Sequence, residues 1–135
     1  MRAFLKLAAT LIFLTSATLA QVGCGRCAPI MNVSNAPTTN ASGKALTNEQ
    51  IKTAIIRAGT ALGWQVKAEG PGKIVATLYV RKHTAVVEIP YSPSGYSINY
   101  LSSVNLDEEG GQLHKNYNGW IQNLTRGINS QLSGA

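Results

Sequence analysis

Chemically versatile side chains are sparse in this chain. Two cysteines, two histidines and six acidic residues stand among 135, so any catalytic or metal-binding set has few groups to draw on. The cysteines, Cys24 and Cys27, form a single C-x-x-C. Residue 28 is Ala, which removes haem attachment, and no second close pair of Cys, His or carboxylates completes a zinc site. The H-E-x-x-H and G-x-S-x-G patterns are both missing. Glu88 is the one acidic residue on an expected strand and has no mate, whereas a glycosidase pairs two carboxylates across a cleft. Asp107, Glu108 and Glu109 are consecutive, and consecutive carboxylates do not converge as calcium ligands do. Gly70 and Gly72 flank a proline in a turn and open no helix, which is not the arrangement of a phosphate loop. The expectation is no metal, no cofactor and no assigned catalytic residue, with an enzyme of unknown class as the last of three functional readings.

Long apolar runs are also lacking, apart from one at the start. Arg2 and Lys6 make a positive leader, Leu7 to Leu14 an apolar stretch, and Ser16 to Ala20 a run of small residues, which together read as a signal peptide over residues 1–20. The apolar stretch is shorter than the roughly 20 residues that span a bilayer. Two processing schemes remain open. Cleavage after Ala20 places Thr18 and Ala20 at the small-residue positions of an ordinary site. Alternatively, Gln21-Val22-Gly23-Cys24 resembles the lipobox of bacterial lipoproteins, with Gln21 where an aliphatic residue is usual. The signal then extends to residue 23 and Cys24 carries the lipid. Without a lipid, Cys24 and Cys27 are placed to form a small disulfide loop in an exported chain. The two fates exclude each other, because each uses the Cys24 thiol.

Charge excludes a further class. The formal balance is +6, but Arg2 and Lys6 belong to the leader, which leaves about +4 for the mature domain, too little by itself to imply nucleic acid. No nucleic-acid partner is expected, although Tyr79, Arg81, Lys67 and Thr77 form a mix also found on base-stacking sheets.

Residues 21–45 are rich in Pro, Asn, Ser, Thr and Gly. They read as a flexible tether, since so polar a stretch buries little to offset its ordering entropy. A single domain is expected over residues 46–132. Thr47 with Gln50 makes a capping box, Leu46 with Ile51 a hydrophobic staple, and Ile51, Ala54, Ile55, Ala58 and Leu62 a helical stripe closed by Gly63. Gly59 inside that helix points to close approach of the sheet. Period-two alternation then runs through Trp64–Ala68, Ile74–Arg81, Thr84–Ile89 and Tyr96–Leu101, with Pro90 closing the third strand. A loop from Ser102 to Gly111 follows. The stripe Leu113, Tyr117, Trp120, Ile121, Leu124 and Ile128 predicts a second helix from Gln112 to about Asn129. The expected fold is α+β, in the order α-β-β-β-β-α: a four-stranded antiparallel meander with the N-terminal and C-terminal helices packed on one face.

Lys82 and His83 at the chain reversal, with His114, Lys115 and Tyr117 on the second helix, are the candidate ligand-binding residues. The competing reading makes the histidines surface groups or hydrogen-bond partners.

The segments Leu62-Gly63-Trp64, His83 to Tyr91, Tyr96 to Tyr100 and His114 to Ile121 resemble those of a group of small, uncharacterised bacterial envelope lipoproteins, over about Leu46 to Ile128. That resemblance implies an envelope address and a signal ending at a lipidated cysteine. It implies no activity. The leading functional expectation is a non-enzymatic periplasmic domain, lipid-anchored to the outer or inner membrane, that binds an envelope protein or glycan. The alternative is a soluble periplasmic small-ligand module near His83 and His114.

Overall fold

A computed structural model describes residues 24–135. The expected signal peptide and residues 21–23 of the lipobox-like run lie outside the described residues. Strand β1 (Cys27–Pro29) and β2 (Val33–Ala36) precede helix α1 (Asn48–Ala61). Then come β3 (Gln65–Ala68), β4 (Lys73–Val80), β5 (His83–Ser92), β6 (Gly95–Val104), β7 (Gln112–His114) and helix α2 (Asn116–Ser133).

These elements correct the expected four-stranded meander. The domain is α+β with a five-stranded antiparallel sheet, in the order β2-β6-β5-β4-β3, and a separate two-stranded sheet, β1-β7. The expected tether supplies both additional N-terminal strands. Composition misleads there because polar side chains do the holding. Asn32 Oδ1 accepts the Tyr100 N–H at 2.9 Å, Ser97 Oγ accepts the Asn35 N–H at 3.0 Å, and buried Thr38 donates to the carbonyl of Pro93 at 2.8 Å. Asn118 bridges Met31 N–H and Pro29 C=O, each at 3.0 Å. Ile30, Met31, Val33 and Ala36 pack against the core.

Helix α1 starts where its capping box places it. Thr47 Oγ1 accepts the Gln50 N–H at 3.2 Å, and Gln50 Oε1 accepts the Thr47 N–H at 3.0 Å. It buries Ile51, Ala54, Ile55, Ala58 and Gly59, while Leu62, expected in the stripe, is the C-cap and is exposed. Helix α2 begins at Asn116, later than expected, because Gln112–His114 is drawn into pairing with Cys27–Pro29. It buries Tyr117, Ile121, Leu124, Ile128 and Leu132. The helices touch through small residues: a Cβ on Gly127 would lie 3.4 Å from the Ala58 Cβ.

Beneath them, Ile74, Ala76, Leu78, Ala85, Val87, Ile89, Tyr96 and Ile98 are buried in the same core. Strand β5 runs through Pro90 to Ser92, past its expected end. Pro90 stands opposite Lys73, the first residue of β4, so its missing N–H falls at the end of that ladder. In β6 the register shifts between Val86 and Val87, whose partners are Ser102 and Tyr100, leaving Leu101 as an extra residue in a bulge.

Candidate functional site

The loop after β6 organises one end of the molecule. Asn105 and Asp107 both adopt left-handed φ, at 58° and 55°, which short polar side chains tolerate best after glycine. Between them Leu106 is buried, pinning the loop to the core. Asn105 then ties the loop to the β4–β5 turn, made by Arg81 (φ 55°) and Lys82. Its Nδ2 donates to the Lys82 carbonyl at 2.8 Å, and its own carbonyl lies 2.7 Å from His83 Nδ1. A carbonyl oxygen only accepts, so Nδ1 of His83 holds the proton and Nε2 is the acceptor of the neutral ring.

On its other side the loop meets β7 and the N-terminal segment. The Leu106 carbonyl accepts the His114 N–H at 2.8 Å, and the Arg26 carbonyl accepts the Lys115 N–H at 2.8 Å. His114 Nδ1 accepts the Asn116 N–H at 3.3 Å, so in this ring the proton sits on Nε2. Cys24 and Cys27 are joined as a disulfide. Cys24 Sγ lies 4.0 Å from Asp107 Oδ2 and Cys27 Sγ 3.9 Å from the Asp107 carbonyl. Neither bonded sulfur carries a hydrogen, so these are packing contacts.

Cys24, Cys27, Lys82, His83, His114 and Lys115 therefore gather around Asn105–Asp107 from three separate stretches of chain. Tyr117 does not join them. It is wholly buried, edge-on to Tyr100 with ring centroids 5.7 Å apart, and is corrected from ligand contact to core residue. A shallow hollow of about 500 Å³ beside the first turns of α2 is lined by Lys115, Asn116, Asn118 and Trp120 but by neither histidine. A second groove, about 520 Å³, runs between α1 and the end of α2, past Glu49, Thr53, Arg57 and Gln131, and includes no expected site residue. Among the described residues no three of His, Cys, Asp and Glu gather where they could hold a metal ion.

The end also carries an exposed sheet face of which the sequence marks Tyr79, Thr77 and Arg81 but not Val104. Tyr79, Thr84 and Val104 lie side by side across β4, β5 and β6 on the face away from the helices, with Thr77, Val86 and Ser102 in the next row. Tyr79 is 60%, Val104 54% and Leu101 47% exposed, three of the four exposed large apolar side chains among the described residues. Val104 falls in the stretch expected to be loop, and nothing local in Ser102-Ser103-Val104 announces a strand. Only its pairing with Thr84 places it beside Tyr79. The β2 pairing extends along β6 only from Tyr96 to Ile98, and the Asn32 side chain takes the Tyr100 N–H. Arg81 and Lys82 flank the row as exposed cations.

Comparison with family models, with curated proteins and with solved structures returned no match.

Proposed function

We propose that this chain is an exported cell-envelope domain without chemistry of its own, and that it binds another envelope component with the Tyr79–Thr84–Val104 surface. The observation that carries the reading is the exposure of Tyr79 and Val104 in one cross-strand row of an open sheet face, with exposed Leu101 three residues before Val104 and with Arg81 and Lys82 at the adjoining turn. Exposed apolar groups gathered together and rimmed by polar ones mark interaction surfaces, whereas scattered ones do not. The same end holds Cys24, so an anchor there brings the surface close to whatever holds the chain.

The Cys24 thiol has two exclusive fates, thioether to lipid or disulfide to Cys27, and the disulfide supports the unlipidated form. Intact mass of the mature N-terminus distinguishes them. A diacylglyceryl mass on Cys24 establishes the anchor, and Gln21 as an unmodified first residue refutes it.

The surface is tested by Tyr79→Ser with Val104→Ser. Both side chains are exposed, so stability should stay within about 0.5 kcal/mol. Retention of the envelope component should fall by about tenfold or more. Undiminished retention by the folded double variant would refute the surface.

A further inference from the structure

We infer that the envelope component met by this surface is the membrane itself: Tyr79, Leu101 and Val104 enter the head-group layer while Arg81 and Lys82 meet anionic phospholipid. The inference rests on the reading of this corner as the binding surface and names what it binds.

The first reason is where the chain leaves the described domain. Residues 1–23 join it at Cys24, which packs on Asp107, two residues from the Asn105 that holds Lys82 and His83. A chain held on a membrane by that end presents this corner to lipid first. The second reason is side-chain type. Tyrosine has an apolar ring and a polar tip and suits the interface between head groups and acyl chains. Leu101 and Val104 supply purely apolar area beside it. Arg81 and Lys82 can lay their stems along that area and keep their charges among phosphates. The third reason is charge at this end. Arg26, Arg81, Lys82 and Lys115 are all exposed, and each cation near an anionic surface adds attraction. Asp107, Glu108 and Glu109 are exposed at the same end and oppose it. The electrostatic attraction is therefore partial, and apolar insertion carries most of the affinity.

The lipid-free contribution is isolated in the full exported chain carrying Cys24→Ser and Cys27→Ser, which can hold neither thioether nor disulfide. The β1–β7 pairing is made by backbone groups and includes neither sulfur. This protein should sediment with vesicles of phosphatidylethanolamine and phosphatidylglycerol, and more weakly with phosphatidylcholine alone. Adding Tyr79→Ser and Val104→Ser should weaken sedimentation by about tenfold or more. Arg81→Gln and Lys82→Gln should each weaken it by about fivefold on the phosphatidylglycerol vesicles. Glu108→Gln with Glu109→Gln should strengthen it, a gain that misfolding would not produce in step with phosphatidylglycerol content. A folded protein that ignores both kinds of vesicle at low salt overturns the inference, as does binding indifferent to all these substitutions. If vesicles are ignored while Tyr79→Ser with Val104→Ser still abolishes capture of an envelope protein, the membrane is excluded and the binding surface stands. If neither responds, both fall.

Discussion

Tyr96 and Tyr117 are two buried phenols with opposite hydrogen-bond status. Tyr96 donates its O–H to Asn129 Oδ1 at 2.6 Å, tying β6 to α2. Tyr117 O–H has no partner among the described residues. A buried donor left unmade costs about 1–3 kcal/mol, whereas a made one contributes about 1 kcal/mol. Tyr96→Phe should therefore lose about 1 kcal/mol in urea unfolding at pH 7. Tyr117→Phe should be neutral, or up to about 1 kcal/mol more stable, because it removes an unsatisfied group without opening a cavity. Loss of more than that in Tyr117→Phe would mean the hydroxyl does find a partner. Ionisation adds a pH dependence. Burial pushes the Tyr96 phenol up to about 12, and burial with the nearby Tyr100 pushes the Tyr117 phenol up as well. Below the usual value near 10, both phenols are neutral in folded and unfolded chains, and no stability is lost. Above it, the unfolded chain releases protons that the folded one retains, so stability falls as pH rises from about 10 to about 12. Melting temperature across that range should drop less steeply in Tyr117→Phe than in the parent chain. Equal slopes would show that Tyr117 does not contribute.

At the scale of elements, Gly59 sets a propensity gain against a packing cost. Alanine is worth about 1 kcal/mol more than glycine inside a helix. At Gly59, however, a Cβ would lie 2.7 Å from Val66 Cγ2, and a β-branched valine has little rotamer freedom with which to yield. Overpacking of this kind costs about 1–3 kcal/mol. Gly59→Ala should thus be destabilising by up to about 2 kcal/mol in chemical unfolding. A stabilised variant would place β3 farther from α1. The glycine was conspicuous in sequence because it interrupts a strongly signalled helix. The boundaries of α2 were less legible. Leu113 fits the helical stripe, but it belongs to β7, where it is buried and pairs with Ala28. Three residues cannot display a period, and their partner lies far away in the chain.

The whole molecule depends on its first described residues more than composition suggests. Residues 24–36 cover one edge of β6, pair with β7 and pack Ile30, Met31, Val33 and Ala36 on the core. A tether could be removed without consequence. Here, a chain lacking residues 24–36 should unfold at markedly lower urea and be cleaved faster by protease, because apolar burial and several long-range hydrogen bonds go together. Unchanged unfolding would restore the tether. The candidate site follows the same division. Lys82, His83, His114 and Lys115 stood out by type, and Cys24 and Cys27 by spacing, but nothing in the chain linked them. Asn105, Leu106 and Asp107 do so, from a stretch that reads only as loop.

Local order was written in local residues: the Thr47 capping box, the stripes of α1 and α2, and the alternation of β3 to β6 each act over a few neighbours. The sequence by itself therefore determined two helices, four consecutive strands and an apolar face between them. Strands β1, β2 and β7, the Leu101 bulge and the alignment of Tyr79 and Val104 on either side of Thr84 were decided only in three dimensions. Each depends on hydrogen bonds and packing between segments distant in the chain, and those energies leave no periodic trace in either partner.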